Sequence, residues 1–280
     1  MIKVLKSGFY STIQDLGRLD FENYGVPVSG VMDQFSATLA NSLLGNHKND
    51  AVLEITMSGP NLKFTCDTCI CVTGADLSTL VNNKPIKLNR VIVINSGDIL
   101  SFGRLNFGFR SYLAVSGGFQ SELVMNSRSM YSGITKQGCI ERNDSLSINP
   151  NKTYTIPNSV VKTKASHFSS EVIEVFKGPE FELLNSDHQE LFLSKTFTIS
   201  KHNSRMAYQL EETLDNSLEP IITSLVLPGT VQLTPSGKLI VLMRDCQTTG
   251  GYPRVLQLKE SSINVLSQKF TDAKVKFKLL

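Results

Sequence analysis

The sequence predicts a mainly β protein, and three observations carry that reading. Short runs rich in β-branched residues recur through the chain: Val52-Leu53-Glu54-Ile55-Thr56, Ile70-Cys71-Val72-Thr73, Thr79-Leu80-Val81 and Arg90-Val91-Ile92-Val93-Ile94. Turn signals fall between them, at Asn82-Asn83-Lys84, Asn95-Ser96-Gly97-Asp98 and Ser116-Gly117-Gly118. Only one stretch, residues 31–44, carries a clear helical stripe. Such spacing suggests a barrel or a sandwich.

Taken in order, residues 2–10 alternate like a first strand. Gln14-Asp15-Leu16-Gly17-Arg18 follows as a loop whose Asp and Arg are close enough in sequence to pair. In residues 31–44 the stripe is Met32, Phe35, Leu39, Leu43 and Leu44, with Ser29 as a possible cap and Gly45 as the stop. Asp33 and Asn41 lie off that stripe, which suits a solvated face. Thr73-Gly74-Ala75-Asp76 sits where a strand is expected to end; small residues there expose backbone N–H groups beside a carboxylate, as an Asx-turn also would. Residues 149–168, with Pro150, Pro157 and many Ser, Thr, Asn and Lys, form the best linker. The expected division is 1–160 and 161–280. In the second part Val172-Ile173-Glu174-Val175-Phe176 and Thr196-Phe197-Thr198-Ile199 read as strands, as do 221–226, 230–233, 239–243, 255–258 and 275–279; Phe181, Leu184 and Leu191 suit a short helix.

At 280 residues the chain can hold one large or two ordinary domains. The 28 basic and 25 acidic residues leave a formal charge of +3, too small a surplus to argue for nucleic acid or a membrane surface. No window is apolar for the roughly 18 residues that span a bilayer, and the N-terminus does not read as a signal peptide, so a cytoplasmic protein is expected. Five cysteines cannot all pair with one another. Cys66-x-x-Cys69-x-Cys71 lacks the fourth ligand of a tetrahedral zinc site, so structural thiols are expected and no metal. His47, His167, His188 and His202 lack a convincing partner motif. There is no phosphate loop and no GxGxxG fingerprint.

The segment richest in chemistry is Asp245-Cys246-Gln247-Thr248-Thr249-Gly250-Gly251-Tyr252-Pro253, placed after the apolar strand Leu239-Ile240-Val241-Leu242-Met243. It offers a carboxylate, an amide, two hydroxyls and a phenol on a bare backbone. This string resembles the signature of the allophanate hydrolase subunit 2 family, also called the biotin-dependent carboxyltransferase family. Gln14-Asp15-Leu16-Gly17-Arg18, Gly25-Val26-Pro27-Val28-Ser29-Gly30, Ala40-Asn41, Thr73-Gly74-Ala75-Asp76-Leu77, Ser127-Arg128-Ser129, Arg205-Met206, Pro228-Gly229 and Gln232 extend the resemblance in family order over nearly the whole chain. Two places depart from it. Met130-Tyr131 replace a usual Thr-Asp, and Ser204 and Ala207 interrupt a segment usually read Ser-Asp-Arg-Met-Gly-Tyr.

The resemblance implies two cyclophilin-like β-barrel domains with one long helix near the N-terminus. The family includes the C subunit of bacterial 5-oxoprolinase, part of urea carboxylase, and an antagonist of a kinase inhibitor. The expectation is therefore one component of a multi-subunit, ATP-dependent enzyme that opens 5-oxoproline to glutamate. ATP would be bound with or by the partners, which are a homologous β-barrel B subunit of the same enzyme and its larger A subunit. The alternatives are a carboxyltransferase component served by biotin on another polypeptide, and a non-catalytic binder of a kinase inhibitor. Asp245, Asp76 and Arg18 are the expected catalytic residues. Arg205, Gln247, Thr248, Thr249, Gly250, Gly251, Tyr252, Thr73, Gly74 and Asn41 are the expected contacts to a small amide or lactam. In this scheme Arg18 or Arg205 holds a substrate carboxylate, Asp76 or Asp245 accepts a ring N–H, and the threonines and glycine amides meet an oxygen of developing charge.

Overall fold

The structure, a computed structural model, describes residues 1–149 and 161–280. The chain divides into two compact units, Met1–Arg18 with Ser29–Phe168, and Leu19–Val28 with Ser169–Leu280. The short segment 19–28 thus joins the second unit. Most of the linker expected at 149–168 falls on residues 150–160, outside the described residues; the part after it includes a short helix, Ser166–Ser169.

In the first unit the strands form two sheets. One runs, in spatial order, Ser145–Leu146, Ile2–Lys6, Asn61–Phe64, Ile99–Ser101, Leu80–Val81 and Lys84–Pro85. The other runs Tyr10–Gln14, Val52–Thr56, Phe107–Val115, Thr68–Asp76 and Val91–Ile94. The two-residue period of a strand sorts the second sheet's side chains. Leu53, Ile55, Ile70, Val72, Leu113 and Val115 join the main core with Ile2, Val4, Leu62 and Phe64. Val52, Cys71, Tyr112 and Ala114, on the alternate positions, pack with Ala37, Ala40 and Leu43 of the helix Gln34–Leu44.

That helix starts later than its letters suggest. Its cap is Asp33, not Ser29: the Asp33 carboxylate accepts the Ser36 amide at 3.1 Å and the Ser36 hydroxyl at 2.6 Å. The helix ends at Gly45, as expected. The buried face is also wider than the expected stripe. Phe35 is exposed, whereas Ser36, Ala37, Ala40 and Asn41 are buried. Of the expected stripe Met32 and Leu43 are buried and Leu39 and Leu44 pack partly against the same cluster, so Phe35 alone departs from it. Asn41 does not face water.

The second unit contains a closed barrel: Val172–Lys177, Arg254–Leu258, Thr230–Leu233, Lys238–Leu242, Ala207–Thr213, Phe197–Asn203 and Lys274–Leu279, which pairs in parallel with the first. Closure gives every strand of this sheet a neighbour on both sides. Leu239 and Val241 of one strand and Tyr208 and Leu210 of its neighbour are fully or almost fully buried, whereas Ile240 and Gln209 are only half-buried. The class is therefore mainly β, with one closed barrel in the second unit and two sheets in the first. The helix Glu260–Ser267 was not read in the sequence, and of the strand expected at 221–226 only Ser224–Leu225 forms, pairing with Thr249–Gly250.

Candidate functional site

The expected site residues of the first unit with polar side chains make hydrogen bonds within that unit. Asp15 is buried and works as a hub. Its carboxylate accepts the Gly17 amide (2.9 Å), the hydroxyls of Ser127 (2.6 Å) and Ser129 (2.7 Å), and the Arg128 amide (2.6 Å). Two motifs more than a hundred residues apart are thereby one knot. Arg18 is fully buried and donates to the Ser129 carbonyl at 2.5 Å, so it is not an open fork for a ligand carboxylate. Asp76 accepts the Ser78 amide at 2.9 Å and the Asn106 side-chain amide at 3.0 Å, the Asx-turn arrangement. The strand runs through Asp76 instead of ending before it, and the Thr73 hydroxyl donates to the Ser36 carbonyl of the helix at 2.7 Å. Gly74 has φ +80°, and a Cβ there would lie 2.5 Å from the Arg110 carbonyl oxygen; close strand approach explains the glycine. The Asn41 amide donates to the Asp50 carbonyl at 2.7 Å and accepts from Asn46 at 3.0 Å, pinning the turn after the helix.

In the second unit the Asp245 carboxylate does not emerge free at the strand end. Arg205 holds it in a two-pronged pair, Nε to Oδ2 at 2.8 Å and Nη2 to Oδ1 at 2.9 Å, and the Asp245 amide donates to the Arg205 carbonyl at 2.9 Å. The pair is largely buried, with side chains 6 % and 12 % exposed. Arg244 next to it pairs with Glu260. Both charges after the apolar strand therefore anchor the fold.

What the segment 245–253 does is cover one side of a cavity of about 580 Å³, within the range of small-molecule pockets. The cavity lies against the barrel wall. Ala207 and Gln209 of one strand sit directly opposite Leu242 and Ile240 of the next, and Gln232 of a third strand sits opposite Ile240. All five line the cavity, so alternate positions of three strands supply its floor. Gln232 stands at a register shift between its strand and Arg254–Leu258, the kind of bulge that re-aims a side chain. Gln247 and Tyr252 line the cavity from the segment 245–253, and Lys201, His202, Asn203, Ser204 and Met206 complete the lining. The covering segment is strapped down by Ile221 donating to the Gly251 carbonyl and Val226 to the Thr248 carbonyl.

Two amide atoms of this lining are buried without a hydrogen-bond partner: Gln232 Nε2 and Gln247 Oε1. Such atoms cost about 1–3 kcal/mol each while unmatched. Both belong to residues that line the cavity, although the two atoms themselves are shielded from solvent. Gly250 stands behind Gln232: a Cβ at position 250 would lie 2.4 Å from Nε2. The glycine thus lets the amide tuck against bare backbone.

Of the expected contacts, Gln247 and Tyr252 line the cavity and Gly250 backs it, whereas Arg18, Asn41, Thr73, Gly74 and Asp76 belong to the other unit and to its internal bonds. Thr248, Thr249 and Gly251 belong to the covering segment, outside the lining. Lys201, Gln209 and Gln232 were not expected as contacts. A signal existed for Gln232, an amide between Val231 and Leu233 in a fully buried strand. Among the described residues no group of three or more His, Cys, Asp or Glu side chains is placed to hold a metal ion, and all five cysteines are free.

The barrel wall thus presents amides, a lysine and a phenol around an apolar floor. The chain belongs to the carboxyltransferase domain family, subdomains A and B, whose model matches residues 24–279. It is 31 % identical to the C subunit of 5-oxoprolinase from Escherichia coli, over 96 % of this chain and 87 % of that one. It is 29 % identical to the C subunit of 5-oxoprolinase from Haemophilus influenzae, over 99 % of this chain and 90 % of that one. Its fold is similar to part of the K. lactis urea amidolyase, with a TM-score of 0.88 and 25 % identity, covering all of this chain and 18 % of the larger one.

Proposed function

We propose that this chain is the C subunit of an ATP-dependent 5-oxoprolinase and that the barrel cavity holds the lactam. The observation that carries this reading is that two glutamines lining one cavity, Gln232 and Gln247, each hold a buried amide atom without a hydrogen-bond partner, Nε2 and Oε1. A lactam is a cis amide, so its N–H and C=O lie on one edge. One acceptor and one donor complement that edge: Gln247 Oε1 receives the ring N–H and Gln232 Nε2 meets the carbonyl oxygen. The similarity to two 5-oxoprolinase C subunits along nearly their whole length supports the choice of a lactam. The chain's part is to bind and orient the amide. ATP enters with or through two partners, a homologous β-barrel chain and a larger one.

The test is reconstitution with both partners and an assay of ATP-dependent glutamate release from 5-oxoproline. Gln232→Leu and Gln247→Leu should each raise KM about tenfold, the equivalent of one hydrogen bond near 1.4 kcal/mol. Unchanged kinetics in both variants would remove the cavity from the mechanism. The fold similarity to urea amidolyase favours a second reading, a carboxyltransferase component working with biotin carried elsewhere. Inhibition of the reconstituted activity by avidin would decide for it.

A further inference from the structure

We infer that the cavity selects for charge: it takes cyclic amides that carry a carboxylate and discriminates against neutral amides, with Lys201 as the residue that makes the distinction. The inference rests on the cavity being the lactam site, and it names which lactams that site accepts.

The argument is electrostatic. Among the lining residues Lys201 is the one with a permanent charge; His202 is the other basic side chain, and no Asp or Glu is among them. The carboxylate nearest in sequence to the covering glutamine, Asp245, is bonded to Arg205. Lys201 is exposed and makes no ion pair with a described residue. The site therefore carries a net positive charge. The polar groups are also sorted by depth. Gln232 is buried at the wall, Ile240, Leu242 and Ala207 form an apolar floor, and Lys201 lies in the exposed part of the lining with Met206 and Tyr252. A ligand seated with its amide edge on Gln232 and Gln247 turns its other end toward the exposed part, where a flexible four-carbon stem lets the ammonium reach it. An apolar ring between an amide edge and an anionic group fits this order of surfaces. Urea, which is neutral and has no apolar body, does not use the floor or the lysine.

The experiment is a binding measurement by calorimetry on the assembled complex without ATP. The probes are 5-oxoproline, its uncharged analogue 2-pyrrolidinone, and urea. The parent should bind 5-oxoproline at least tenfold more tightly than 2-pyrrolidinone, and that preference should shrink as salt is raised. Lys201→Gln should weaken 5-oxoproline about tenfold and leave 2-pyrrolidinone within twofold, which a general loss of structure could not do. If Lys201→Gln keeps the parent's preference while Gln232→Leu abolishes binding of both lactams, the cavity reading stands and the selection by Lys201 is wrong. If Gln232→Leu leaves 5-oxoproline binding unchanged, or nothing binds the parent, the lactam site itself is misplaced and the selection falls with it.

Discussion

Asp245 and Arg205 meet across forty residues of sequence, and a single substitution should expose what they do. The guanidinium is nearly buried and its Nε and Nη2 both donate to the Asp245 carboxylate. Asp245→Asn keeps the shape and removes the charge, leaving a buried cation without its counter-charge. A charge-assisted bond is worth about 1.5–3 kcal/mol, so the variant should lose about 2 kcal/mol of stability and melt roughly 4–8 °C lower. A thermal melt checks this; an unchanged melting temperature would show that the pair contributes nothing. From letters alone Asp245 has no visible partner, because Arg205 lies forty residues away. The thiols were easier to read. Burial pushes Cys71 up to about 12, and burial, then the nearby Asp245 charge, pushes Cys246 to about 12. Neither carries appreciable thiolate at neutral pH. Native protein treated with iodoacetamide at pH 8 should keep both unmodified by mass spectrometry, and denatured protein should not.

Elements were legible where one local rule set them and illegible where packing did. The strands Val52–Thr56 and Thr230–Leu233 follow their β-branched runs to the residue. The helix Gln34–Leu44 was found, and so was part of its inward face, Leu43 with Leu39 and Leu44, but the small residues Ala37 and Ala40 that share it were not, and Phe35 is exposed. Burial of Asn41 needs the turn it pins, which no periodicity reports. The strand Arg254–Leu258 offers a test of element anchoring. Arg254 donates from Nε and Nη2, and from its amide, to the Glu180 carboxylate beside the short turn Phe181–Leu183. The Arg254 hydrogen bonds hold the Glu180 pKa below the ordinary glutamate value. A depressed folded-state pKa stabilises the fold above the unfolded pKa, near 4.3, and that contribution disappears as pH falls through the folded value. Glu180→Gln should therefore cost about 1 kcal/mol at pH 7 and nothing once the parent's own carboxyl is protonated. Urea melts of parent and variant across pH 2–7 should converge at the acid end; a constant gap would show that the charge is irrelevant.

At the scale of the molecule, the ordered motifs carried the family and the β class, while the site depended on which strands become neighbours. Gln232, Gln209 and Ile240 form a row only because three strands pair in one register. No spacing in the sequence brings Lys201 to Gln247. The cavity that results offers amides, a lysine and a phenol, and no hydrogen-bonded nucleophile–base pair among its lining. Similar chains are 5-oxoprolinase C subunits in two bacteria, and a similar fold occupies 18 % of a long urea amidolyase chain. A fold that recurs both as a separate chain and as a segment joined to further domains is expected to work in permanent contact with others. Two outcomes follow for this chain. Purified alone, it should release no glutamate from 5-oxoproline with ATP. Co-expressed with its homologous β-barrel partner, it should elute with it as one species on size exclusion, and glutamate release should begin when the larger partner is added. Independent elution of the two chains at micromolar concentration would argue for a free-standing binding protein. Turnover by the chain alone would mean that it holds both ATP and the attacking groups, and that the cavity's role as an orienting site is wrong.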